Sequence, residues 1–381
     1  MTPEPPAGGR THIDYFDAIR LTAAFGVVFM HTASGPLWQQ VNTHWLLLNP
    51  FVSLAFTSVP LFLMMSGYLS LNARRAMDIR YLFSRRLPRL LVPLAFWTVM
   101  AVADTLVSRR AFTVQAFFAA LLDALRSPAA MHLWYMYLLT ALTLLSPFLS
   151  GGVRALDESG HRRYALVLIG AVMAQSMLRI LLPGEQWKFL DVHLIYSLSI
   201  YSGDLCVFLL GYYLSTTRRK LPNWLLVLAG LILLGAVTVG TYLRTVETGG
   251  YEQSFQNQSG GFEVALAACV FLLWKQCFRG KLPQVLRPVV ALTLPIYMMH
   301  GVVLSVLMHL NIFARGLFDT VGFSVLVFLG CFFCVKTAAS VKPCCFLITG
   351  LRYEEACGSC NWQYTLRVLR ERRQGASGST D

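Results

Sequence analysis

Long apolar runs alternate with short polar connections along most of the chain. A helix that crosses a lipid bilayer needs roughly 17–25 mainly apolar residues, and runs of this kind recur until about residue 341. We therefore expect an all-α polytopic membrane protein with about ten transmembrane helices. The predicted spans are 16–35, 50–71, 88–107, 131–150, 163–182, 203–217, 222–243, 262–279, 288–311 and 318–341.

Three further segments complete this outline. Residues 1–12, MTPEPPAGGRTH, lack the basic start and cleavage site of a signal peptide, so the first apolar run is expected to remain as a span. Residues 111–126, AFTVQAFFAALLDALR, are typical of a helix that lies on the membrane surface. The predicted organisation is a cytoplasmic tail (1–12), a membrane domain (13–341) and a second cytoplasmic tail (342–381), which is polar after about residue 350 and is expected to fray.

The charges of the connections indicate how the spans are oriented. Alternate connections are rich in arginine and lysine, whereas the intervening ones carry most of the loop acids. Because basic connections remain in the cytoplasm, ten spans would place both termini there, in the inner or plasma membrane of the cell. The basic residues are Arg74, Arg75, Arg80, Arg85, Arg86, Arg89, Arg154, Arg162, Arg163, Arg218, Arg219, Lys220, Lys275, Arg279, Lys281 and Arg287, and the acids are Glu185, Asp191, Glu247 and Glu252.

The overall composition agrees with a bilayer environment and narrows the possible partners. The 381 residues are 56% hydrophobic and only 13% charged, and the mean hydropathy is +0.56, which is too apolar for a soluble domain of this length. The net charge of +13 lies between apolar runs rather than on a basic helix interleaved with aromatic residues. It therefore favours lipid and argues against nucleic acid as a partner.

The first predicted span carries ionisable residues that are costly in lipid. Asp17 and Arg20 are three residues apart and can pair on one helix face. His31 follows Arg20 by eleven residues, about three turns, so both lie on nearly the same face, roughly 16 Å apart along the axis. A neutral imidazole in this position could act as a general base. Alternatively, Arg20 extends to the lipid headgroups and His31 makes a structural hydrogen bond.

A second membrane imidazole, His300, occurs in the ninth span within LPIYMMHGVVL. Its depth is comparable with that of His31, so the two rings could face one cavity, with Tyr297 on the turn below. The alternative is a helix-packing role for His300, and we expect His309 to be interfacial.

An arginine cluster lies where the chain returns to the membrane after the second span, in SRRLPRLLVP. Such a cluster either orients the helix and binds lipid headgroups or binds phosphate, because guanidinium groups match phosphate oxygens. Arg86 and Arg89, three residues apart, could hold one ligand together.

Other familiar catalytic signatures do not occur in the sequence. It contains no Walker A, GxGxxG, HExxH or GxSxG motif. Its nine cysteines indicate no disulfide framework. The pair Cys331/Cys334 lies in an apolar run, and Cys344/Cys345 and Cys357/Cys360 lack the spacing of a four-ligand zinc site, so we expect no metal.

Five segments together resemble the acyltransferase-3 family of integral membrane acyltransferases. The first is YFDAIRLTAAFGVVFMH in span one, in which Asp and Arg are followed by ten residues and then His. The others are VPLFLMMSGYL in span two, RRLPRL with its R-x-x-R element, HLWYMYLLTALTLLSPFL in span four and LPIYMMHGVVL in span nine. They occur in the family's order and cover the chain to about residue 341.

The resemblance implies an acyltransferase-3-like helical bundle and a membrane O-acyltransferase. It would move an acyl group, expected to be acetyl, from cytoplasmic acyl-CoA to a hydroxyl of a cell-surface or lipid-linked glycan. It also implies that His31 is the catalytic group with Arg20 as its companion, and that Arg86 and Arg89 lie near the CoA phosphates. Asp17, Ser66, Tyr297 and His300 would support catalysis or bind substrate, with Arg20 or Ser66 as donor to the oxyanion.

The alternative function is a transporter or flippase for a glycan or amphiphile, in which the same buried charges form a substrate path. The sequence leaves open the acceptor, the acyl group, the oligomeric state and the choice between a base and an acyl-histidine mechanism. It assigns no role to the cysteine-containing tail, 342–381, which looks unlike the family.

Overall fold

The computed structural model describes residues 13–39, 41–73, 75–181, 193–194, 198–199 and 203–377. Its regular structure is helical apart from one short antiparallel pair of strands, β1 (His193–Leu194) and β2 (Leu198–Ser199). The predicted tail 1–12 and the loop acids Glu185 and Asp191 lie outside the described residues.

The described helices follow one another along the whole chain, and each predicted span overlaps at least one of them. Up to residue 181 they are α1 (Asp14–Thr32), α2 (Ser34–Leu37), α3 (Thr43–Phe56), α4 (Ser58–Leu71), α5 (Ile79–Tyr81), α6 (Pro88–Ser108), α7 (Val114–Asp123), α8 (Trp134–Arg154) and α9 (Glu158–Leu181). A π-helical turn, Leu82–Arg86, joins α5 to α6, and a 3-10 turn, Met131–Leu133, precedes α8.

The remaining helices are α10 (Gly203–Thr216), α11 (Asn223–Thr248), α12 (Gly261–Cys277), α13 (Arg287–Ala291), α14 (Thr293–His309), α15 (Leu317–Ala339), α16 (Lys342–Thr349), α17 (Tyr353–Ser359) and α18 (Trp362–Ser377). A 3-10 turn, Gln284–Leu286, comes before α13.

Five helical segments among the described residues are long and apolar enough to cross a membrane. They are Thr43–Leu71, Ile79–Ser108, Met131–Arg154, Asn223–Thr248 and Leu317–Ala339. A sixth is added if Gln284–Ala291 and Thr293–His309, which meet at a bend of 62°, are one broken span. The predicted count of about ten is therefore not confirmed. Three of the predicted spans differ from these long apolar segments. The helices α10 and α12 are short, with 14 and 17 residues, and α1 carries three charged side chains.

The two segments predicted to lie outside the spans have different outcomes. The amphipathic segment forms α7, which has 10 residues, none of them fully buried. At 1.5 Å per residue it is about 15 Å long, too short to cross a bilayer. The expectation that the chain frays after about residue 350 is wrong for α17 and α18. Ala356 of α17 and Cys360, which follows it, are buried in an apolar cluster with α15, and Trp362 of α18 stacks on Phe333 of α15.

Close backbone packing joins α4 and α10 in the centre of the bundle. A Cβ atom on Gly67 would clash with the backbone of Phe208, and one on Gly211 would clash with the backbone of Met64. Small residues at such positions let two membrane helices approach closely. Phe208 and Met64 belong to a large buried cluster that also includes apolar residues of α1, α8 and α12.

One end of the bundle collects the basic connections. Arg154, at the end of α8, donates to the carbonyls of Leu71 and Ala73 after α4, at 3.0 and 2.9 Å. The His161 ring, near the start of α9, packs on Tyr212 and Tyr213 at the end of α10. We refer to this end, which holds the ends of α4, α8 and α10 and the start of α9, as the basic end.

Candidate active site

The polar face of α1 begins near the basic end. Arg20 Nη1 lies 3.3 Å from Asp17 Oδ1, and the Arg20 side chain is 32% exposed. In the turn before, Tyr15 and Phe16 pack against Phe271 of α12, with ring centroids 6.0 Å apart in both pairs. The ion pair predicted from the i, i+3 spacing is therefore present, close to the carboxy-terminal part of α12.

His31 lies in the last turn of α1, and its hydrogen bond fixes its tautomer. Nδ1 lies 2.8 Å from the carbonyl oxygen of Val27. Because a carbonyl oxygen only accepts, the neutral ring carries its hydrogen on Nδ1 and has a lone pair on Nε2. This is the arrangement that a general base requires, with an orienting bond on one nitrogen and an acceptor on the other.

Three imidazoles form what we call the imidazole cluster, composed of His31, His132 and His300. The ring of His300 lies between the other two, with centroids 4.9 Å from His31 and 5.0 Å from His132. His300 is fully buried. The two membrane histidines that the sequence predicts to share a cavity are thus in contact.

The hydrogen bonds of the other two rings repeat the pattern of His31. His300 donates through Nδ1 to the carbonyl of Tyr297, and its Nε2 is buried without a hydrogen-bond partner. His132 donates through Nε2 to the carbonyl of Met298, 3.2 Å away, which leaves a lone pair on Nδ1. In the neutral form, each of the three rings therefore donates its N–H to a backbone carbonyl and keeps a lone pair on its other nitrogen. This arrangement suits a site that accepts a hydrogen bond from a hydroxyl or accepts a proton.

His132 was not among the predicted site residues. It lies in the 3-10 turn before α8, and its ring reaches the cluster because Gly301 lies beside it: a Cβ atom on Gly301 would clash with the His132 ring. The available sequence signal was its position as the first residue of the HLWYMYLL segment, where the membrane span begins.

Tyr297 and Ser66 lie around the cluster rather than in it. The Tyr297 hydroxyl donates to the backbone carbonyl of His132, so it supports the turn that carries that ring. Ser66 Oγ lies 3.4 Å from the hydroxyl of Tyr135, and the Tyr135 ring packs edge-on against Tyr297 with centroids 5.6 Å apart. Ser66 is thus connected to the cluster through two tyrosines.

Arg86 and Arg89 have different partners in the structure. Arg86 Nη1 donates to Ser146 Oγ at 3.1 Å, whereas Arg89 Nη2 lies 2.5 Å from Glu355 Oε1 in α17. The second oxygen of Glu355 is buried and has no partner. Sequence reasoning missed Glu355, because the tail that contains it offered no recognisable motif.

The cysteines and His309 lie outside the imidazole cluster. All nine cysteines are free, and burial raises the pKa of Cys360 to about 11, so its thiol is protonated at neutral pH. Within the described ranges, no group of three or more His, Cys, Asp and Glu side chains is arranged to hold a metal ion. His309 is exposed and donates through Nδ1 to the carbonyl of Ser305, 2.6 Å away.

Comparison with known proteins gives the class of this helical protein. The family model described as an acyltransferase domain, that of acyltransferase-3, matches residues 13–336. The match includes every residue of the imidazole cluster and ends before α16–α18. The chain therefore belongs to the acyltransferase-3 family and is a membrane acyltransferase. No curated protein and no solved structure matches it.

Proposed function

We propose that the protein transfers an acyl group, acetyl in the simplest case, from cytoplasmic acyl-CoA to a hydroxyl of a cell-surface or lipid-linked glycan. The observation that carries this proposal is the tautomer of His31, whose Nδ1 is bound to the Val27 carbonyl and whose Nε2 is left as an acceptor. The family match supports acyl transfer in general.

In the proposed reaction, His31 Nε2 takes the proton of the acceptor hydroxyl as its oxygen attacks the thioester carbonyl. The C–O bond forms, and the tetrahedral intermediate collapses with cleavage of the C–S bond. The CoA thiolate leaves and takes the proton back from the His31 imidazolium. The His31 ring packs edge-on against the buried ring of His300, with centroids 4.9 Å apart, so the transient charge on His31 develops beside a second imidazole. An acyl-histidine intermediate at the same nitrogen is the alternative route.

The other predicted residues have roles that fit this scheme. Arg20, oriented by Asp17, would neutralise negative charge between the donor site and His31, and Arg20 or Ser66 would donate to the oxyanion. Arg86 and Arg89 would hold phosphates of CoA, with Arg89 leaving Glu355 when the donor binds.

The proposed topology places the basic end in the cytoplasm with both termini. It counts ten spans, namely the five long apolar segments, the broken pair α13–α14, and α1, α9, α10 and α12. The support is the distribution of basic residues over alternate connections. His31 would then lie in the outer half of the bilayer, about 16 Å above Arg20.

The decisive experiment follows labelled acetyl from acetyl-CoA to glycan in membranes that contain the wild type, His31→Ala or His309→Ala. We expect loss of transfer for His31→Ala and near wild-type transfer for His309→Ala, because His309 is exposed and far along α14 from the cluster. Transfer by His31→Ala at the wild-type rate would overturn the catalytic assignment. Glycan flux without consumption of acyl-CoA in proteoliposomes would favour the transporter alternative.

A further inference from the structure

A basic cavity of about 530 Å³ opens where α10 and α12 end, at the basic end of the bundle. Five of its eight lining residues are cationic and none is acidic. They are Arg218, Arg219, Lys220, Lys275 and Arg279, together with Thr217, Leu272 and Gln276. The volume is within the range of about 300–1,000 Å³ that is typical of ligand sites.

The cations of this cavity fall into two groups. Lys275 is committed to the fold, since Nζ donates to the carbonyls of Leu214, Ser215 and Thr217 at 2.7, 2.9 and 2.7 Å. It thereby neutralises the negative end of α10. The other four cations are exposed.

These four exposed cations form no ion pair with a carboxylate in the part of the chain that the structure describes. Clustered like charges repel one another, and a bound anion would offset that repulsion.

A second observation points into the same cavity. Gln276 lines it, and its side-chain Nε2 is buried without a hydrogen-bond partner. Leaving such a donor unmatched is unfavourable, because it has lost its hydrogen bonds to water. A turn of the Gln276 side chain toward the cavity would let a ligand oxygen accept from this donor, and phosphate oxygens match the guanidinium groups of Arg218, Arg219 and Arg279.

The cavity is also close to the start of the polar face on α1. Phe271, one helical turn before Lys275 on α12, packs against Tyr15 and Phe16, which precede Asp17. A ligand held in the cavity would thus lie close to the first turn of α1, which precedes the Asp17–Arg20 pair. In contrast, Arg89 is already engaged by Glu355.

We propose that this cavity is a binding site for a phosphate-bearing anion, namely the nucleotide phosphates of the acyl donor. This assignment rests on the proposed function. The same chemistry could be presented by an anionic lipid headgroup, so the test includes both sources. Acyl-CoA carries phosphate at two places, the pyrophosphate and the ribose.

The test measures binding of CoA to the full chain in nanodiscs of phosphatidylcholine by titration calorimetry. The cavity variant is Arg218→Gln/Arg219→Gln. The matched control is Arg162→Gln/Arg163→Gln, which removes the same charge from exposed positions of α9 on the same end without touching the cavity. We expect the dissociation constant for CoA to rise about tenfold or more in the cavity variant and to change little in the control. Size-exclusion profiles confirm that both variants are folded.

A second arm repeats the comparison with phosphatidylglycerol nanodiscs and counts retained lipid by native mass spectrometry. Loss of lipid retention in the cavity variant with unchanged CoA binding would overturn the donor assignment in favour of a headgroup. Unchanged CoA binding and unchanged lipid retention would overturn the site altogether. If CoA binds neither variant nor wild type, the proposed function fails, and the lipid arm alone then decides whether the cavity binds phosphate.

Discussion

At the scale of single residues, Gly301 determines how closely His132 approaches His300. No larger residue fits without moving the His132 ring, and that ring anchors the cluster through its bond to Met298. A substitution of Gly301 therefore tests the geometry of the imidazole cluster without replacing any of its three histidines.

We predict that Gly301→Ala lowers kcat for acyl transfer by up to about 10²-fold, since a displacement of about 1 Å can have this effect. The measurement is steady-state transfer with purified protein, with thermal unfolding as a check on folding. Gly322→Ala, where a Cβ atom meets nothing within 4 Å, is the control. A wild-type kcat for Gly301→Ala would show that acyl transfer does not depend on the position of the His132 ring.

The residues of the site differ in how far the sequence could predict them. The helical period predicts that Arg20 and His31 lie on nearly the same face, because both residues belong to one helix. The contact of His132 with α14 joins residues 166 positions apart, and no period relates such residues. The pairing of Arg89 with Glu355 spans 266 positions and was unpredictable for the same reason.

At the scale of helices, the segment predicted as one span at 288–311 is broken at Leu292, between α13 and α14. Pro295, in the first turn of α14, has no N–H to donate to the preceding turn. Proline in TLPIYMMH was thus a readable signal for the bend. The length of the apolar run gave no sign of the bend.

The close contact between α4 and α10 leads to a prediction about stability. Gly211→Ala should lower the free energy of unfolding by about 1–3 kcal/mol, because the added methyl meets the backbone of Met64. Gly235→Ala in α11 meets nothing within 4 Å and should be neutral or slightly stabilising. Denaturant unfolding in detergent measures both, and equal stabilities would contradict the packing described for α4 and α10.

At the scale of the whole molecule, the helices beyond the family match close against the core. Trp97 of α6 donates to the carbonyl of Ile348 in α16 at 3.2 Å. Lys336, the last matched residue, lies 4.1 Å from the ring centre of Trp362 in α18. The tail helices α16–α18 thus pack against the membrane domain beside Arg89, a contact that their sequence did not predict.

This arrangement predicts that the tail restrains donor binding. Glu355→Gln should lower KM for acyl-CoA by up to about fivefold, because partly exposed ion pairs are worth about 0.2–1 kcal/mol and Arg89 would be released to phosphate. Initial rates at varied acyl-CoA measure the effect, with Glu354→Gln, an exposed neighbour on α17, as control. A higher KM for Glu355→Gln would mean that Glu355 positions Arg89 for the donor instead.

The bond between Trp97 and Ile348 also has a consequence for biosynthesis. The two residues are 251 positions apart, and a ribosome adding about 5–20 residues per second needs roughly 13–50 s to cover that distance. During this interval α6 is already made, while the segment that covers its Trp97 side is still missing. The Trp97 side of α6 therefore gains its contact with α16 only after residue 348 has been synthesised.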